Sequence, residues 1–208
     1  MNCEGLHNLI HQGESDDDQR WHQGRQSTRL NDHDYSLPGA YFITLLTYQR
    51  ECILGTITNG KIQLSSFGKI VCSEWFRSAT IRDEIDLYQD ELIIMPNHMH
   101  GIVWIVANPK DVGVRAHGRA PLRLNHRNFR RKPKSLSSFV AGYKSSGTKQ
   151  INTARNTPGQ HVWKRNYHDR IIRNERELQA TREYIRDNPL RWELDRENPK
   201  LHNPIDRP

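Results

Sequence analysis

The segment MPNHMHGIVWIV, Met95 to Val106, sets His98 and His100 one residue apart at the head of an apolar run. Ile102, Val103, Trp104, Ile105 and Val106 are β-branched or aromatic, so the run reads as a strand. Side chains of a strand alternate between faces, which points both imidazoles the same way. Pro96-Asn97 turns the chain just before them. The preceding run DLYQDELIIM, residues 86–95, then lies antiparallel beside the histidine strand.

The flanking sequence supplies the other elements. GAYFITLLTYQRE, residues 39–51, predicts a strand over about 40–48. In TITNGKIQL, Asn59-Gly60 sits between two short alternating runs and signals a two-residue hairpin turn. Ser65 or Ser66 can cap a helix whose apolar stripe is Phe67, Ile70, Val71, Trp75 and Ala79. A second helix follows from Leu136, Phe139, Val140 and Tyr143, with Lys144 and Lys149 on its polar sides. HVWKRNYHDRIIRN, residues 161–174, reads as a strand. Asn174 with Glu177 resembles a capping box that opens a last helix, which Pro189 ends at Asn188. This order predicts an α+β, ferredoxin-like (RRM-like) α/β sandwich: a central antiparallel sheet with helices on one face, an extra β-hairpin and a C-terminal helix.

Composition bounds the rest. The chain has 208 residues, 35% hydrophobic and 26% charged, with a formal charge of +7. Its mean hydropathy is −0.87 and its pI about 9.5. Such a balance predicts one domain with polar extensions, and the basic excess favours a polyanionic partner. Residues 1–34 are expected to be a disordered polar tail, 35–199 the folded domain and 200–208 a second tail. Within the domain, residues 107–134 read as a flexible basic insertion, rich in Arg, Lys, Gly and Pro. Cys3, Cys52 and Cys72 show no CxxC spacing, so reduced cytoplasmic thiols are the expectation. No run approaches the ~18 apolar residues that span a bilayer, and the N-terminal stretch lacks a signal-peptide pattern. A cytoplasmic protein without membrane contact is expected.

Two histidines at i and i+2 bring two ring nitrogens within reach of one cation. Burying them among apolar neighbours costs a few kcal/mol unless their nitrogens are bonded. Gly101, next in line, leaves room for something to approach the backbone. On the final helix, in REYIRDNP, Tyr184 and Asn188 are four residues apart and share a face. Asn offers a neutral oxygen ligand, and Tyr a hydroxyl able to attack phosphorus. Each feature also has an ordinary reading: satisfied histidines, a tyrosine packed on Leu178 and Ile185, and an asparagine that ends a helix.

MPNHMHGIV followed by YIRDNPLRW closely resembles the REP-associated tyrosine transposases, in the single-tyrosine branch of the HUH nucleases. The likeness continues through DYSLPGAYFIT, PKSLSSFVAGYKS and VWKRNYHDRIIRNERELQ, and covers about Arg25 to Pro199. It implies a divalent cation, Mg²⁺ or Mn²⁺, held by His98, His100 and Asn188, with Tyr184 as the catalytic tyrosine. The implied function is a metal-dependent single-stranded DNA endonuclease and strand transferase acting near hairpin DNA, such as REP-like palindromes, through a 5′-phosphotyrosine. The group implies a monomer, while relatives that mobilise insertion sequences work as dimers. Residues 107–134 and the acidic N-terminal stretch depart from the family pattern.

A nucleic-acid groove lined by Arg25, Arg29, Lys144, Lys149, Lys164, Arg165, Arg170 and Arg173 is expected, with Trp163 and Tyr167 as stacking platforms. Solvated cations and a core tryptophan are the plain alternatives. Two other functions remain open at this point: a hairpin-DNA binder whose catalysis has lapsed, and a metal hydrolase without a covalent intermediate.

Overall fold

The computed structural model describes residues 33–107, 132–195 and 197–199. Its central strand, β6 (His98–Ile105), pairs antiparallel along its whole length with β1 (Gly39–Leu46). β1 pairs on its other side with β7 (His168–Ile172). The free edge of β6 carries two short strands in succession, β4 (Ile85–Asp86) beside Trp104–Ile105 and β5 (Leu92–Ile94) beside Met99–Gly101. The five-stranded antiparallel sheet therefore runs β4/β5, β6, β1, β7.

The strand expected over 86–95 is thus broken. A 3₁₀ turn at Gln89–Glu91 interrupts it, because Glu91 turns inward and is fully buried. The expected strand over 161–174 is likewise shorter. Only residues 168–172 pair continuously, and Trp163 makes one isolated bridge to Thr47.

Alternation decides what each sheet face does. Met99, Gly101, Val103 and Ile105 share a face with Tyr41, Ile43 and Leu45, as their cross-strand register requires. Helices α1 (Ser66–Ile81) and α2 (Leu136–Ala154) cover it, bringing Val71, Trp75, Phe139, Val140 and Tyr143 into one core. The first helix opens on the expected serine cap, Ser65 Oγ accepting from Gly68 N–H, and the second on one the sequence reading did not name, Ser135 Oγ accepting from Ser138 N–H. The hairpin of β2 (Gly55–Thr58) and β3 (Lys61–Leu64) turns at Asn59-Gly60, both at positive φ, as a primed two-residue turn requires.

The opposite face carries His98, His100, Ile102 and Trp104 from β6 and Ala40, Phe42 and Thr44 from β1. Helix α3 (Glu175–Asp187) lies there and packs Leu178 and Ile185 on Ala40, Ile102 and Ile172. Asn174 caps it, its Oδ1 accepting from Glu177 N–H at 2.9 Å. Glu177 reaches back to the N–H of Arg173 rather than to that of the cap itself. The architecture is α+β: an antiparallel sheet with two helices on one face, a hairpin, and the C-terminal helix on the other face.

The α-helix ends at Asp187 with Asn188 as its cap, as expected ahead of Pro189, but the chain does not leave the helical path there. Asn188 keeps helical dihedrals (φ −57°, ψ −43°), and residues 188–194 continue as a 3₁₀ segment. Proline is tolerated there because a helix's first turn has no use for its missing N–H. The N-terminal tail and the interior of the basic insertion fall outside the described residues.

Candidate active site

His98 and His100 lie side by side on the α3 face of the sheet, 0% and 4% exposed, with their Nε2 atoms 3.1 Å apart. Each outer nitrogen has its own partner. His98 Nδ1 bonds Asn97 Oδ1 at 2.9 Å, and His100 Nδ1 bonds Thr44 Oγ1 at 2.8 Å. Burial holds the His98 imidazole down at about 4, against the pull of the Asp195 and Glu197 carboxylates, so the ring is neutral near pH 7. Asp195 Oδ2 stands 3.7 Å from His98 Nε2.

Helix α3 brings Tyr184 to the same place. Its ring meets His100 edge-on at 5.1 Å and Phe42 edge-on at 5.9 Å, and its hydroxyl lies 3.3 Å from His100 Nε2. The helix is fixed to the sheet by Arg182, whose Nε and Nη2 donate to buried Glu91 at 3.0 and 2.7 Å. Trp104 Nε1 donates to the other Glu91 oxygen at 2.6 Å. One helical turn beyond Tyr184, Asn188 is 3% exposed, and its buried Oδ1 has no hydrogen-bond partner among the described residues. A buried amide oxygen left unsatisfied is costly, and a ligand is one way to explain it.

Two ring nitrogens 3.1 Å apart are spaced as neighbours in an octahedral shell with bonds of about 2.1 Å, whose adjacent ligands stand roughly 3 Å apart. Two imidazoles and a buried amide oxygen are donors that suit a divalent cation. Among the described residues no three His, Cys, Asp or Glu side chains form such a group, and the Asn188 amide borders the same cleft as His100.

These residues border a cleft of about 610 Å³, lined among others by Thr44, His100, His168, Arg170, Tyr184 and Asn188. Of the cations expected to meet nucleic acid, Arg170 lines it: Nη2 donates to Thr181 Oγ1 and the guanidinium lies 6.0 Å from the Phe42 ring centre. Lys164, Arg165 and Arg173 lie at or near β7 but do not line the cleft. Lys144 and Lys149 sit on α2, across the sheet from it. Lys144 donates to the carbonyls of Lys164 and Arg165, and burial lowers its pKa to about 8. Trp163 corrects the sequence reading: it is 6% exposed within the core, packed 6.1 Å from Tyr143, and offers no ring face for a base to stack on. Tyr167 is half-buried against the same core. Arg25 and Arg29 fall outside the described residues.

Gly101 is a second correction. A Cβ there would stand 2.6 Å from Trp75 Cζ2, so the space it leaves is filled by the indole from the core side and not by a ligand. Residues that sequence reading passed over are Thr44, Asn97, His168, Arg191 and Asp195, all within the site or its cleft. Asn97 alone carried a local signal, its place directly before His98. The others depend on register and on the path after Pro189.

No helix among the described residues is long and apolar enough to cross a membrane. No protein-family model matches the chain. Among solved structures, it is similar to a REP-associated tyrosine transposase bound to a REP hairpin, with a TM-score of 0.46 and 17% identity over 78% of this chain and 74% of that one. It is also similar to a candidate transposase from Deinococcus radiodurans, with a TM-score of 0.42 and 14% identity over 76% of this chain and 98% of that one. In sequence, the chain is 34% identical over 173 residues to an uncharacterised protein of Haemophilus influenzae, an alignment covering 82% of this chain and 91% of that one. The chain belongs to the same family as that Haemophilus influenzae protein.

Proposed function

We propose that the protein is a divalent-metal-dependent single-stranded DNA endonuclease and strand transferase, a transposase-type enzyme that works through a 5′-phosphotyrosine on Tyr184. One observation carries this reading. The Tyr184 hydroxyl, on a helix, stands 3.3 Å from the Nε2 of a buried histidine pair on a strand, beside an amide oxygen that lacks a partner. The sequence resemblance assigns these four side chains to the same roles.

His98, His100 and Asn188 would hold Mg²⁺ or Mn²⁺. Bound there, the cation would offset the negative charge that builds on the non-bridging oxygens of a scissile phosphate. Tyr184 attacks that phosphorus in line. The phenolic O–P bond forms, the P–O3′ bond breaks, the phenol proton passes to water, and the departing O3′ takes a proton from water. Bond energy is retained in the phosphotyrosine, so a second 3′-OH reverses the step and joins strands without ATP. Tyr184 suits this role because it is 41% exposed at the cleft while its helix is clamped through Arg182 to Glu91. Arg170 supplies positive charge at the same cleft for the DNA backbone. The substrate is single-stranded DNA beside a REP-like hairpin, and the protein acts as a monomer.

The test is a labelled single-stranded hairpin DNA incubated with the protein and Mn²⁺. A protein–DNA adduct that survives denaturation is expected, and Tyr184→Phe abolishes it without loss of fold. Cleavage by Tyr184→Phe at the wild-type rate would refute the tyrosine's role. DNA binding without any adduct would favour a lapsed enzyme.

A further inference from the structure

We infer that Asn97 is a positioning residue which, through its side-chain amide, fixes His98 as the Nδ1–H tautomer and so presents the Nε2 lone pair to the site. The amide's orientation is settled by its other end. Nδ2 donates to the backbone carbonyls of Arg50 at 3.1 Å and of Glu197 at 2.7 Å. Turning the amide over would press Oδ1 against two carbonyl oxygens and leave them without a donor. Oδ1 therefore faces His98 Nδ1 as an acceptor, and that nitrogen must carry the hydrogen. Two acceptors stand near Nε2: Asp195 Oδ2, at 3.7 Å beyond hydrogen-bond range, and His100 Nε2 at 3.1 Å, which an Nε2–H could serve only by leaving Asn97 Oδ1 facing the Nδ1 lone pair. Asn97 is 0% exposed, so water does not contest the bond.

The consequence runs along the pair. With a lone pair on His98 Nε2, the 3.1 Å contact is a hydrogen bond only if His100 Nε2 carries the hydrogen, and the Tyr184 hydroxyl, 3.3 Å from that nitrogen, then does not donate to it. His100 Nδ1 then accepts from the Thr44 hydroxyl. In the cation-free protein the donors run in one direction: Thr44 to His100, His100 to His98, His98 to Asn97. To bind a cation, His100 must exchange tautomers. It gives up hydrogen at Nε2 and gains one at Nδ1, while the Thr44 hydroxyl rotates from donor to acceptor. Neither ring changes its net charge. His98 is already set by Asn97, and Thr44 is the hinge that lets its neighbour follow. Groups that hold the outer nitrogen of a metal-bound histidine are generally worth about ten- to a hundred-fold in metal affinity.

The tautomer assignment concerns the protein without metal or DNA, whereas its effect on affinity rests on the cation site proposed above. Two measurements separate them. Nitrogen-15 spectra of the histidine rings in the full chain, free of cation and DNA, are expected to show His98 as Nδ1–H and His100 as Nε2–H. Titration with Mn²⁺ alone is expected to give affinity about ten- to a hundred-fold lower in both Asn97→Ala and Thr44→Val. In Asn97→Ala the His98 ring should also lose its single tautomer, while Thr44→Val should leave His98 unchanged. The wild-type His98 tautomer is read without any substitution, so the assignment stays testable if the alanine variant folds poorly. The inference is overturned if wild-type His98 is Nε2–H, or if Asn97→Ala alters neither the tautomer nor Mn²⁺ affinity. An absence of any DNA adduct would leave the tautomer result standing and count against the enzymatic reading alone.

Discussion

Gly101→Ala tests whether the histidine strand is held by its packing on the core. The new Cβ would stand 2.6 Å from Trp75 Cζ2, 2.9 Å from Cη2 and 3.4 Å from Cε2. Carbon pairs settle near 3.5–4.0 Å, so either the indole or the strand must retreat by roughly 1 Å. Neither has easy room. Trp75 is 0% exposed and wedged edge-on between Phe139 at 5.4 Å and Tyr143 at 5.3 Å. β6 is paired on both sides at this residue, with Ile43 and with Leu92. Overpacking of this kind costs about 1–3 kcal/mol. For a chain of this length, a loss of about 2 kcal/mol lowers Tm by roughly 4–8 °C. Urea unfolding should show a lower midpoint at an unchanged slope. In a Trp75→Phe background the smaller ring should accept the methyl, so the two changes should couple by about 1 kcal/mol or more. A Gly101→Ala protein within about 0.5 kcal/mol of wild type would show that the contact is not limiting, and the reasoning would fail.

Two further outcomes follow from buried polar groups. Asn188→Ala removes an amide oxygen that is buried without a partner, so cation-free stability is expected to hold or to rise by about 1 kcal/mol. The stabilisation by Mn²⁺, about 2.7 kcal/mol at a hundred times Kd, should largely vanish in thermal melts, and an undiminished shift would remove Asn188 from the ligand set. Glu74 is held at about 2, below its usual 4.5, chiefly by the hydrogen bond from Arg77. Because its folded pKa is depressed, its contribution is complete above pH 4.5 and is lost as pH falls from there through about 2. Arg77 is half-exposed, so solvent screening keeps this contribution small. Glu74→Gln should therefore be less stable at pH 7 and flatter in urea midpoints measured across that acid range.

Periodicity carried most of the fold. Alternation in β6, the Asn59-Gly60 turn, the Ser65 cap and the apolar stripes of the first two helices are nearest-neighbour signals, and a chain displays them whatever lies across from it. The broken edge at 89–91 was invisible for the opposite reason. Glu91 looks like a solvent residue until Arg182 and Trp104, 91 and 13 residues away, supply its partners. Gly101 was misread in the same way, and for Trp163 the choice between stacking platform and core residue was open for the same reason, since what fills the space beside each comes from α1 and α2.

The candidate site divides along that line. His98 and His100 share a face because strand geometry demands it, and Tyr184 and Asn188 share one because a helix turns every 3.6 residues. Each pair could be read from spacing within its own segment. That the two pairs meet, with the Tyr184 hydroxyl 3.3 Å from His100, is a tertiary fact. It depends on β6 pairing with β1, on α3 crossing the face that α1 and α2 leave open, and on the Arg182–Glu91 clamp. Thr44 gains its role only there, and the Asn97 amide, though adjacent to His98, is oriented by the Arg50 and Glu197 carbonyls, because a hydrogen bond needs its partner within about 3 Å, a distance set here between segments.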